Sequence, residues 1–77
     1  MIRLHQMKNG EYARLVKFDH SQEIKKKCES KGIFEGSIIL VISNRWVMVF
    51  RIDSKVYALS KHLAGCIQVI PLNMAGE

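Results

Sequence analysis

Several things are scarce in this 77-residue chain. No apolar run reaches the roughly 18 residues that a membrane-spanning helix needs, and the first residues lack the apolar core of a secretion signal. A soluble intracellular domain is therefore expected. Cysteine occurs twice, as Cys28 and Cys66, without the close Cys/His spacing of a zinc site or a redox pair. Both read as reduced core residues. His5, His20 and His62 are scattered likewise, so these five soft ligands predict no composite metal site and no cofactor. Proline occurs once, at Pro71, and no repeat, low-complexity stretch or internal linker interrupts the chain.

Catalytic patterns are missing too. No nucleophile and base stand at a recognisable spacing, and no paired carboxylates flank a turn. The glycines of Gly32-Ile33-Phe34-Glu35-Gly36 are not followed by the Gly-Lys-Ser/Thr ending of a phosphate-binding loop. They are read as structural, and the chain is not expected to be an enzyme.

What is present is apolar and basic. With 48% hydrophobic against 25% charged residues, the chain should fold, and its length allows one small domain in which every apolar strand must contribute to the core. The formal charge is +5, and residues 1–31 hold eight basic and four acidic side chains, so most of the surplus sits in that part. Lys25, Lys26, Lys27 and Lys31 give the first helix a basic face. Such a face is a solvated surface more often than a binding site.

The periodicity predicts a first strand over Tyr12 to Phe18, stopped by Asp19-His20-Ser21. Asp19 or Ser21 can cap a helix over 22–31 whose buried stripe is Ile24 and Cys28. With Gly32 as the left-handed residue that closes it, Cys28 and Ile33 are the pair that should meet in a Schellman ending. From Ser37 the period becomes two, and Ile38 to Ile42 and Val47 to Ile52 predict an antiparallel hairpin turning at Asn44-Arg45. That turn sets Ile42 opposite Val47, Leu40 opposite Val49 and Ile39 opposite Phe50. Asp53-Ser54 leads into a strand over Lys55 to Leu59, Ser60 caps a turn over Lys61 to Ala64, and Cys66 to Ile70 is the last strand. The fold class is mainly β: a small barrel of about five strands with one short α-helix.

Neither face of the hairpin is polar. Ile39, Val41, Met48 and Phe50 fill one side, while Ile38, Leu40, Ile42, Val47 and Val49 occupy the other. A barrel has one interior, so the second set, continued by Arg45 and Trp46 at the turn, is expected to be a contact surface. The alternative is intramolecular cover by the helix or by the tail through Ile70, Pro71, Leu72 and Met74.

Taken in order, Leu4-x-x-Met7-x-x-Gly10-Glu11, the basic Lys26-Lys27-Cys28, Gly32-Ile33-x-x-Gly36-Ser37, and Ala58-Leu59-Ser60-Lys61 with Ile67-x-Val69 resemble the FeoA family of ferrous-iron transport accessory proteins nearly end to end. Where that family usually has a leucine before the first glycine and a proline before the second, this chain has Lys31 and Glu35, and its central hairpin is a few residues shorter. The resemblance implies an SH3-like barrel over residues 1–72, followed by a tail of residues 73–77. It also implies a cytoplasmic accessory protein that binds and modulates the membrane GTPase transporter FeoB, with neither catalysis nor direct membrane insertion of its own. Self-association into a homo-oligomer is left open. Two alternatives stand beside this reading. One is a small basic barrel that binds nucleic acid, disfavoured because Trp46, Phe50 and Tyr57 share no face of the expected pairing, so no specific nucleic acid is expected. The other is a detached SH3-like regulatory domain similar to that of iron-dependent repressors.

Overall fold

The computed structural model describes residues 1–19 and 22–73. Six antiparallel strands form one curled sheet: β1 (Ile2–Arg3), β2 (Tyr12–Phe18), β3 (Ile38–Asn44), β4 (Val47–Ile52), β5 (Lys55–Ser60) and β6 (Ile67–Leu72). Their order across the sheet is β1-β6-β2-β3-β4-β5. Helix α1 (Gln22–Ser30) links β2 to β3, the short α2 (Lys61–Ala64) links β5 to β6, and a 3-10 turn over Leu4–Gln6 follows β1. This is the small mainly β fold that the change of period announces, with the SH3-like arrangement that the resemblance implies. Strand β1, only two residues long, makes the strand count six rather than five.

The helix ends as its spacing requires. Ile33 N–H donates to the Cys28 carbonyl and Gly32 N–H to the Glu29 carbonyl, both at 3.0 Å, which is the Schellman pair of bonds. Gly32 supplies the left-handed backbone at φ 97°, and Cys28 and Ile33 are both buried in the one core. At the other end of α1, the Ser21 cap lies outside the described residues. The Asp19 carboxylate accepts from Arg3 Nη1 and, at 2.6 Å, from Gln68 Nε2, so it fastens β1 and β6 to the end of β2. Ser60 caps α2 as expected, accepting from Leu63 N–H at 3.1 Å.

Alternation sorts the strands. Ala13 and Leu15 of β2, Ile39 and Val41 of β3, Met48 and Phe50 of β4, and Ile67 and Val69 of β6 are all buried. Phe50 lies opposite Tyr57 of β5, the rings stacked at 5.6 Å between centroids. Strand β6 runs past Pro71 to Leu72, two residues beyond the expected end. Strand β1 pairs only with Gln68 and Val69, so at Pro71 that side of β6 is an edge, where proline is tolerated.

The β3–β4 pairing corrects the expected register. Leu40 lies opposite Arg51 and Val41 opposite Phe50, and then the register shifts so that Ser43 lies opposite Val49 and Asn44 opposite Met48. The turn is Arg45-Trp46, not Asn44-Arg45. The extra residue on β3 is Ile42, a bulge that reverses the alternation beyond it. Without the bulge Asn44 would point away from the core. With it, Asn44 points inward and its Nδ2 donates to the carbonyls of His5 at 2.9 Å and Met7 at 2.6 Å.

Candidate functional site

The outer face of the β3–β4 hairpin is the chain's unusual surface. Ile38, Ile42 and Val47 are 37%, 44% and 42% exposed, while Leu40 and Val49 are half-buried. The register correction leaves this set intact on one side, because a shift of two residues preserves side-chain parity. Neighbouring strands extend the face. Leu40 stands in a row between Tyr12 of β2 and Arg51 of β4, and Arg51 is followed by exposed Val56 of β5. Ile38 stands beside Arg14, which stands beside exposed Ile70. The surface is aliphatic with two arginines set into it.

Neither of the expected covers reaches this face among the described residues. Ile70, Pro71 and Leu72 are part of β6, which β2 separates from β3; Met74 and the rest of the tail beyond Asn73 lie outside the described residues. Helix α1 instead buries Cys28 in the core and forms with α2 a cleft lined by Ile24, Lys27 and Leu63.

At the end of the hairpin the two bonds of Asn44 hold β3 to the segment after β1, and Arg45 and Trp46 project beyond them. Trp46 is 89% exposed. Asn44 is the residue that sequence reasoning placed wrongly, as a turn former, and its partners lie nearly 40 positions earlier in the chain.

The lysines expected to form a basic face, Lys25, Lys26, Lys27 and Lys31, lie on α1 and just after its end. Lys25, Lys26 and Lys27 are successive residues of a helix with about 3.6 residues per turn and so fan out around it. Lys25 Nζ lies 3.8 Å from the Glu35 carboxylate, at the position where Glu35 replaces the family's proline. Lys26, Lys27 and Lys31 are exposed. Among the described residues no three His, Cys, Asp or Glu side chains converge as metal ligands; His20 lies outside them. Burial pushes the Cys28 thiol above its ordinary value, and the neighbouring Cys66 and Glu29 raise it further against the lowering effect of Lys31 and Lys27. Phe50 and Tyr57 stack on the interior side, contrary to the expected pairing, while Trp46 is exposed at the tip.

A family model described as the FeoA domain matches residues 2–71. The crystal structure of an iron uptake regulatory protein, FeoA, superposes with a TM-score of 0.85 at 24% identity, covering 92% of this chain and 96% of that one. A FeoA-like protein from Clostridium acetobutylicum gives 0.85 at 18% identity over 99% and 92%. A manganese-dependent transcriptional repressor gives 0.82 at 22% identity, covering 92% of this chain but 41% of the repressor. No curated protein matches significantly in sequence.

Proposed function

The chain belongs to the FeoA domain family, and on that premise we propose that it is a cytoplasmic, non-catalytic accessory protein of ferrous-iron uptake that docks on the cytoplasmic part of a FeoB-type GTPase transporter. The observation that carries the docking surface is the aliphatic outer face of Ile38, Leu40, Ile42, Val47 and Val49, left open on a fold whose interior is already full. Moving one such side chain from full exposure to burial is worth about 1.5–3 kcal/mol. Association costs about 4–15 kcal/mol, so no single member of the patch suffices and it must be covered as a unit. An accessory protein of this kind modulates transport by binding one state of the transporter more tightly than another.

Arg14 and Arg51 within the patch favour a partner that brings carboxylates over a second copy of the same face, because two copies would set like charges together. No helix of the described residues is long and apolar enough to cross a membrane, which suits a protein that meets its transporter from the aqueous side. The test is the double variant Leu40→Lys with Val49→Lys. It should keep the wild-type circular dichroism and melting curve and lose binding to the immobilised cytoplasmic segment of FeoB. Unfolding of the variant, or retained binding, overturns the assignment of this face. A second reading rests on the repressor likeness: the same fold would serve as a regulatory module, and binding to a metal-dependent repressor in place of the transporter segment would favour it.

A further inference from the structure

The hairpin tip joins an exposed aromatic to unpaired positive charge. Trp46 is 89% exposed, and Val47, the next residue on the chain, is 42% exposed. Three cations lie at this end of the sheet. Arg45 precedes Trp46, Lys8 follows the Met7 carbonyl held by Asn44, and Lys61 follows Ser60, the residue opposite Val47. None of the three forms an ion pair among the described residues, whereas at other places Arg3 and Lys25 are paired with Asp19 and Glu35. The Glu11 carboxylate accepts from the Lys8 backbone N–H at 2.7 Å. The tip is also held in place, since Asn44 fixes its base through two carbonyls.

From this arrangement we infer that the Arg45-Trp46 tip docks at the headgroup level of an anionic lipid surface. Indole has an apolar body and a polar N–H, the combination that concentrates at membrane–water interfaces. Val47 adds apolar area beside it, and Lys8, Arg45 and Lys61 complement the charge of acidic lipids. No helix of the described residues is long and apolar enough to cross the bilayer. The contact departs from the expectation of no direct membrane insertion only by the depth of one indole ring, whose exposure depends on where the hairpin turns. The site is separate from the aliphatic sheet face except at Val47, and it does not depend on the identity of any protein partner.

Trp46 is the sole tryptophan, so intrinsic fluorescence reports on this residue alone. The experiment titrates the whole chain with phosphatidylcholine vesicles, with and without phosphatidylglycerol, and follows emission, acrylamide quenching and co-sedimentation. The expected result is a blue shift and loss of quenching with the acidic vesicles at low salt. The partition coefficient obtained from co-sedimentation should fall by about fivefold for each of Lys8→Ala and Arg45→Ala, the factor for one basic residue near an anionic surface. Trp46→Ala should lose most of its partitioning while keeping the wild-type circular dichroism. Unchanged emission at low salt, or sedimentation of Trp46→Ala equal to wild type, overturns the inference. So does a blue shift produced by single-stranded RNA and not by vesicles, which would make the tip a base-stacking platform. The vesicles contain no protein, so failure here leaves the transporter-docking reading standing, and loss of transporter binding leaves this one standing.

Discussion

The hydroxyl of Tyr57 on β5 donates to the carbonyl of Lys31, the residue after α1, at 2.8 Å, and so ties the end of the helix to the far strand of the sheet. The same oxygen closes the space beside Gly32, where an added Cβ would lie 2.8 Å from it. Gly32→Ala therefore meets two penalties: left-handed backbone at φ 97°, worth about 1–2 kcal/mol, and a steric conflict with Tyr57. Tyr57→Phe alone should cost about 0.5–1.5 kcal/mol, the usual net value of one hydrogen bond. In the Tyr57→Phe background Gly32→Ala should cost less than in wild type, because only the backbone penalty remains. Urea midpoints of the four proteins check this, and additive losses would show that the two residues do not interact.

Asn44→Ala should destabilise the chain by about 1–3 kcal/mol, since it leaves the carbonyls of His5 and Met7 without their donor. The effect should be greatest at the hairpin end. Amide exchange of Arg45, Trp46 and Val47 should accelerate more than that of β2 and β6. Uniform acceleration would mean that Asn44 supports the core as a whole and not the tip.

The parts of this structure that were legible in the sequence are those set by short spacing. Cys28, Gly32 and Ile33 lie within six positions, and their pattern gave the helix ending bond by bond. The hairpin's inside and outside were legible because alternation survives a register error of two residues, so Ile39, Val41, Met48 and Phe50 fill the core although none had its partner foreseen. The bulge at Ile42 was not legible. It turns Asn44 toward His5 and Met7, and a hydrogen bond across nearly 40 positions leaves no local pattern. Strand β1 is two residues long, too short for any period to register. The outward set Ile38, Leu40, Ile42, Val47 and Val49 was legible as side chains on one side of the hairpin, whereas its extension through Val56 and Ile70 needed the sheet order.

Asp53, in the two-residue β4–β5 turn, is the one non-glycine residue among those described with positive φ, at 56°. Aspartate tolerates this region better than most residues but still carries part of its cost. Asp53→Gly should raise stability by about 0.5–1 kcal/mol, with the larger unfolded-state freedom of glycine offsetting the rest. Asp53→Val should lower it by more than that. A thermal melt of the three proteins gives the order; a Val variant as stable as wild type would mean that the turn relaxes out of the left-handed region.

Cys28 is buried on the inner side of α1, while Cys66 is half-exposed with its thiol directed at the His62 carbonyl at 3.6 Å. Burial raises the Cys28 value above that of a free thiol, more than the lowering from Lys31 and Lys27 can reverse. The thiolate is the reactive form, so a Cys66→Ala chain, in which Cys28 is the sole thiol, should react with a disulfide reagent much more slowly than a small thiol at neutral pH. It should reach the small-thiol rate in denaturant. The sign for stability follows from the raised folded-state value: the folded chain holds the proton more tightly than the unfolded chain does. The contribution is therefore complete below the ordinary thiol value and is lost as pH rises through the higher folded-state value. Cys28→Ala should remove that alkaline loss while costing stability at neutral pH through the cavity it leaves. A native reaction rate for Cys28 equal to that of a free thiol would show that the helix opens faster than its buried position implies.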